Sequence, residues 1–121
     1  MQACAQRIFK TAWFAKAARS ADIIDADICK AARQLADGLG DDLGGNVWKK
    51  RLDKNTKRGI VVNKVGEFWI FVFLFAKNDI ENIDDKQLKK LKKLAADYQK
   101  LTKAALDRAL ESKDLVEICN G

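Results

Sequence analysis

Between Glu67 and Ala76 the chain offers no polar face. Side chains alternate along a strand, so Phe68, Ile70, Val72 and Leu74 point one way and Trp69, Phe71, Phe73 and Phe75 the other. A strand that is apolar on both sides belongs in the interior of a sheet, covered above and below. Two further strands precede it. Val47 to Leu52 puts Val47, Lys49 and Arg51 on one face and Trp48, Lys50 and Leu52 on the other, and Arg58 to Asn63 starts with an arginine and is otherwise largely β-branched. The polar positions of this meander are almost all basic or amide. It ends in Lys77, Asn78 and Asp79. A sheet that holds Lys49, Arg51, Arg58 and Lys77 near one another is a rigid cationic surface, and its natural ligand is phosphate.

The flanks read as helices with short extended ends. Arg7 to Thr11 can form a first strand. Ala12 to Ser20 is then helical, with Trp13, Phe14 and Ala17 as its apolar stripe. A second helix from Asp25 to Asp37 sets Ile24, Ile28, Ala31, Ala32 and Leu35 on one side and stops at Gly38. These two helices are expected to form an N-terminal helical hairpin over one face of the sheet. The glycine-rich stretch Gly38 to Gly45 follows a helix and precedes a strand, the reverse of a phosphate-binding loop, and reads as a connector. Beyond the meander, Asp84 and Gln87 have capping-box spacing, opening a helix with Leu88, Leu91, Leu94 or Ala95, Tyr98 and Leu101 inward. Its other side carries Lys86, Lys89, Lys90, Lys93 and Lys100. Thr102 can cap a last helix through Glu111, and Leu115 to Ile118 can close the chain as a strand. The expected fold class is α+β: a mainly antiparallel sheet with the helical hairpin on one side and C-terminal helices beside it, residues 1–121 forming a single domain.

Composition narrows the chemistry. The net charge is +6, which favours polyanionic partners, nucleic acid first. Histidine is absent, which excludes Ser-His-Asp and Cys-His catalysis and histidine metal sites. Acid–base work falls to Lys, Tyr, Cys, Asp or Glu. Cys4, Cys29 and Cys119 are odd in number and widely spaced, so the sequence indicates neither a disulfide framework nor a zinc site, and a reducing cytoplasm is the simplest setting. The first residues lack the apolar core of a signal peptide, and Trp69 to Ala76 is too short to span a bilayer.

Three constellations can carry chemistry. The basic cluster of Lys49, Arg51, Arg58 and Lys77 can clamp a phosphate and stabilise the extra charge of a pentacoordinate transition state; crowding lowers the pKa of its most accessible lysine. Such a lysine can accept the proton of a ribose 2′-hydroxyl. The bland alternative is that Lys49 and Arg51 form the solvated face of a half-buried strand. Lys86, Lys89, Lys90 and Lys93, with Trp48 and Lys50, are candidates for sequence-independent RNA contact, although a lysine-rich helix face is commonly just solvated. Asp79, Glu81, Asp84 and Asp85 could meet a divalent ion, but helix capping explains two of them. Trp69, Phe71, Phe73 and Phe75 read as core, and Trp48 as the more exposed aromatic.

Phe9-Lys10-Thr11 near the start, Leu43-Gly44-Gly45 before the basic strand, and Phe75-Ala76-Lys77-Asn78-Asp79 followed by Asn82-Ile83 after the last one give nearly the whole chain a resemblance. It resembles the RelE/HigB branch of the RelE/ParE superfamily of toxin–antitoxin toxins. The resemblance implies a cytoplasmic endoribonuclease that cuts mRNA on the ribosome without cofactor or metal. Its implied partners are the ribosome, mRNA and a cognate antitoxin of helix-turn-helix type, with DNA met only through that antitoxin and no membrane. It assigns Lys49 and Arg51 to the paired basic positions of the first long strand, Arg58 to phosphate binding, and Lys77 and Asn78 to the end of the last strand. ParE toxins share the fold while poisoning gyrase, so a non-nuclease gyrase inhibitor is the first rival and a non-catalytic RNA-binding protein the second.

Overall fold

The computed structural model describes residues 6–80 and 83–119, so Cys4, Glu81 and Asn82 lie outside the described residues. In chain order its elements are β1 (Arg7–Thr11), α1 (Ala12–Ser20), α2 (Asp25–Ala36), β2 (Asp41–Gly44), β3 (Val47–Leu52), β4 (Lys57–Lys64), β5 (Phe68–Ala76), α3 (Lys77–Ile80), α4 (Asp85–Gln99), α5 (Lys103–Glu111) and β6 (Leu115–Ile118). The strands form one sheet in the order β2-β3-β4-β5-β1-β6. Every neighbouring pair is antiparallel except β1 with β5. The doubly apolar β5 therefore lies inside the sheet, as its composition requires.

Helices cover both faces. On one, Phe14, Ala18, Ile28, Ala32 and Leu35 pack against Ile8, Val61, Trp69, Phe71 and Leu74. On the other, Ala95 and Leu106 with half-buried Leu91, Leu94 and Tyr98 pack against Phe9, Val47, Ile60, Val62 and Ile70. Phe9, Phe14 and Phe71 are wholly buried, and each such side chain contributes about 1.5–3 kcal/mol of transfer free energy.

Local signals explain the helix ends. The Asp84 carboxylate accepts from the Gln87 N–H at 2.7 Å and the Gln87 side chain accepts from the Asp84 N–H at 3.2 Å, the reciprocal capping box expected of these residues. Thr102 Oγ1 accepts from the Ala105 N–H. Gly38, at φ +84, lets the chain turn after α2, where the Leu39 N–H donates to the Gln34 carbonyl at 2.8 Å.

Four expectations need correction. The expected first strand, β1, comes before both helices, but α1 and α2 are not an N-terminal helical hairpin: α1 docks on β5 and β1, α2 on β3. Their buried positions, Phe14, Ala15 and Ala18 in α1 and Ile28, Ala31, Ala32 and Leu35 in α2, all serve the sheet, leaving Trp13 and Ile24 exposed. Second, the connector from Gly38 to Gly45 contains β2, which pairs with β3 through Asp41 opposite Lys49 and Asp42 opposite Trp48. Gly44, Gly45 and Asn46 all adopt positive φ and make the tight reversal between the two strands.

Third, β5 does not alternate throughout. Ile60 pairs with Phe73 but Val61 with Phe71, so Val72 is one residue extra, a β-bulge. Beyond it Leu74 joins Trp69 and Phe71 on the α1/α2 face, while Phe73 and Phe75 pass to the α4 face. The Val72 carbonyl accepts from Thr11 Oγ1 at 2.8 Å, and Thr11 Oγ1 in turn accepts from the Phe14 N–H to cap α1. Fourth, Cys29 and Cys119 form a disulfide across a sequence separation of 90 residues. Cys29 lies in α2, over the core that also takes in Ile118 of β6, so the fold joins two cysteines whose spacing gave no sign of pairing.

Candidate functional site

Cross-strand register assembles the basic cluster. Arg51 of β3 stands opposite Arg58 of β4, and Arg58 stands opposite Phe75 of β5. One step along, Lys49, Ile60 and Phe73 form a parallel row. Directly opposed residues share a face with Cβ atoms about 5 Å apart, so Lys49, Arg51 and Arg58 share the α4 side of the sheet.

Arg58 is buried yet has no carboxylate partner among the described residues. Its Nη1 donates instead to the carbonyls of Asn55 and Lys57, both at 3.1 Å. Neutral acceptors fix the direction of the guanidinium without cancelling its charge, and its remaining N–H groups keep their donor capacity. The turn that supplies the Asn55 carbonyl is itself unusual. Lys54 and Asn55 have φ of +52 and +74, and the Thr56 N–H donates to the Asp53 carbonyl at 3.0 Å, a type I′ reversal. Lysine in that backbone region costs about 1–2 kcal/mol.

Lys49 lies 3.7 Å from Asp41 of β2, a contact made possible by the short strand in the glycine-rich stretch. Arg51 is exposed. Lys77 begins α3, and its N–H donates to the Thr56 carbonyl at 2.9 Å, next to the pairing of Lys57 with Ala76. Lys77 and Asn78 therefore stand, exposed, at the same end of the sheet as Arg58.

Trp48 and Lys50 do not join this face. Strand alternation turns them to the α2 side, where Trp48 is half-buried and packs edge-on against Trp69, with ring centroids 5.9 Å apart. Lys50 is buried. Burial, and then the nearby Arg51 charge, push its pKa below the usual lysine value. The exposed indole is Trp13, whose ring lies 5.2 Å from Phe73 and 5.8 Å from Phe75.

Lys86, Lys89, Lys90 and Lys93 are exposed on α4, but they do not act alike. Lys90 borders a cleft of about 430 Å³ shared with Phe73, Phe75, Asp79, Ile83, Gln87, Leu91 and Leu94. This cleft, the Asp41 partner of Lys49 and the Asn55 carbonyl were not foreseen. The Gly-Gly-Asn reversal was a usable signal for β2 and hence for Asp41. Among the described residues no group of three or more His, Cys, Asp or Glu could hold a metal ion.

The arrangement can grip a phosphate with two guanidiniums while presenting amines beside it. No curated protein matches the chain. A family model described as the RelE toxin of the RelE / RelB toxin-antitoxin system matches residues 6–118.

Proposed function

Because the chain belongs to the RelE toxin family and is thereby a toxin with a cognate antitoxin, we propose that it is a ribosome-dependent, metal-independent mRNA endoribonuclease. The observation that carries this reading is the Arg51–Arg58 pair beside Lys49 on one face, with Arg58 aimed by backbone carbonyls and, among the described residues, without a counter-charge. A site of that charge suits a phosphodiester whose negative charge grows during reaction.

In the proposed reaction the ribose 2′-oxygen attacks the adjacent phosphorus in line with the 5′-oxygen. The P–O5′ bond breaks as the P–O2′ bond forms, giving a 2′,3′-cyclic phosphate and a 5′-hydroxyl. Arg51 and Arg58 hold the pentacoordinate phosphorane. Of Lys49 and Lys77, one takes the 2′-proton and the other returns a proton to the departing 5′-oxygen. Asn78 orients the backbone from the start of α3. Lys86, Lys89 and Lys93 point outward from α4 and suit sequence-independent contact with ribosomal RNA, a contact weakened by salt. A ribosomal target places the site of action in the cytoplasm despite the Cys29–Cys119 disulfide, and the antitoxin is a helix-turn-helix protein.

Primer extension on mRNA bound to translating ribosomes tests the proposal, with Lys49→Ala and Lys77→Ala as variants and naked mRNA as control. Codon-phased cuts that need the ribosome and vanish in either variant are the expected result. Growth arrest with intact mRNA overturns the nuclease and points to gyrase.

A further inference from the structure

The turn between β3 and β4 is spelled Asp53-Lys54-Asn55-Thr56, and its first three residues all sit at positive φ, at +51, +52 and +74. None is glycine, so each resists that backbone region. Thr56 holds them there. Its N–H donates to the Asp53 carbonyl at 3.0 Å, and its Oγ1 lies 2.8 Å from that same oxygen and 2.9 Å from the Asp53 carboxylate. Both are acceptors, so the single hydroxyl hydrogen is shared between them. From outside, the Lys77 N–H donates to the Thr56 carbonyl at 2.9 Å and ties the turn to the start of α3.

What the closed turn delivers is a carbonyl. The Asn55 oxygen accepts from Arg58 Nη1 at 3.1 Å, and the Lys57 oxygen is a second acceptor at the same distance. Lys57 lies in β4 and is paired on both sides, whereas Asn55 has only the turn behind it. A turn that relaxed out of the left-handed region would swing the Asn55 carbonyl away and release the guanidinium from one of its two acceptors. We propose that Thr56 is a positioning residue of the phosphate site: its hydroxyl holds the turn closed and, through the Asn55 carbonyl, sets the direction of the Arg58 guanidinium. Thr56 needs no contact with substrate, because it acts on the phosphate through Arg58. The role rests on the phosphate-clamp reading of the arginine pair and adds to it the group that aims one arm. The direction of a charged donor matters most while charge grows on the phosphorane, so the effect belongs to the chemical step and not to ribosome binding.

Single-turnover cleavage on translating ribosomes tests the role in the intact protein. Thr56→Val keeps the shape of an exposed side chain and removes its hydroxyl. The rate at saturating ribosomes is expected to fall about five- to tenfold, the reach of one hydrogen bond, with the half-saturating ribosome concentration unchanged. Thr56→Ser, which returns the hydroxyl, should cut within about twofold of the wild type. In an Arg58→Lys background there is no guanidinium to aim, and Thr56→Val should then cost less than about twofold. The Arg58 Nε–H signal in the NMR spectrum, assigned by its loss in Arg58→Lys, should move in Thr56→Val and return in Thr56→Ser. If Thr56→Val fails to melt cooperatively, Asp53→Asn takes its place: it exchanges a charged acceptor for a neutral one, with an expected loss of about two- to threefold, and no loss there overturns the role. A Thr56→Val protein that cuts at the wild-type rate, or loses as much rate in the Arg58→Lys background, overturns the role while the nuclease stands. Wild-type protein that leaves ribosome-bound mRNA intact overturns the nuclease instead, and an Arg58 signal unmoved by Thr56→Val then overturns the positioning as well.

Discussion

Arg51 and Arg58 face each other directly across β3 and β4, two cations on one side of a sheet. Like charges at opposed positions repel. The pair persists because Arg51 reaches solvent and Arg58 is held by two carbonyls. A phosphate over the pair removes the repulsion, so stability and function pull in opposite directions here.

The two arginines should therefore respond differently to substitution. Arg51→Ala is expected to raise the thermal midpoint slightly while lowering ribosome-dependent cleavage. Arg58→Lys keeps the charge but loses the planar fork that spans two carbonyls and a ligand. Cleavage should fall about 10- to 100-fold, the equivalent of roughly 1.5–3 kcal/mol. Single-turnover cleavage and thermal melts on both variants check the opposed signs.

Thr11 serves two elements with one hydroxyl. It accepts from the Phe14 N–H at the start of α1 and donates to the Val72 carbonyl in the β5 bulge. Thr11→Val preserves shape and removes both bonds, at an expected cost of about 1–2 kcal/mol. Urea unfolding measures it, and Thr11→Ser should retain most of the stability.

The disulfide closes a loop of 90 residues. Chain entropy alone gives about 4.6 kcal/mol for so long a loop, and disulfides in practice contribute about 2–4 kcal/mol. Cys29→Ser should lower the denaturation midpoint in urea by the corresponding amount. Reductant should do the same to the wild type and nothing further to the variant.

Lys50 supplies a pH-dependent signature. Its side chain is largely covered, and desolvation, followed by the nearby Arg51 charge, puts its folded pKa below the ordinary lysine value of 10.5. At neutral pH the folded state bears the cost of that partly desolvated charge. As pH rises through the lowered pKa the folded group loses its proton while the unfolded one still holds it, and stability from this group climbs until the unfolded value is passed. Lys50→Met should be more stable at pH 7 and show a flatter alkaline rise. Melts from pH 7 to 11 test both.

Residues that act locally were legible from sequence. Asp84 with Gln87, Thr102 and Gly38 announce helix ends because their bonding partners lie within a few positions. The shared face of Lys49 and Arg51 follows from alternation alone. What stayed hidden depends on distant neighbours. Alternation in β5 carries no information, since every side chain from Phe68 to Phe75 is apolar and either phase buries well, so the bulge could not be read. Trp48 looked exposed because nothing in its own strand shows that β2 and α2 flank it. The pairing of Cys29 with Cys119 needs β6 to lie beside β1, a fact of topology rather than of spacing.

The bulge in β5 acts as a frame setting. With Val72 absorbed out of line, Phe75 comes to rest beside Arg58 and Leu74 turns toward α1. Smoothing the strand without shortening it would put Leu74 beside Arg58 and send both phenyl rings under the first helix. Deleting Val72 would leave the rings where they are. The strand end thus has two possible phases built from the same residues, and the Thr11 hydroxyl on the Val72 carbonyl latches the one in which an aromatic surface adjoins a cation.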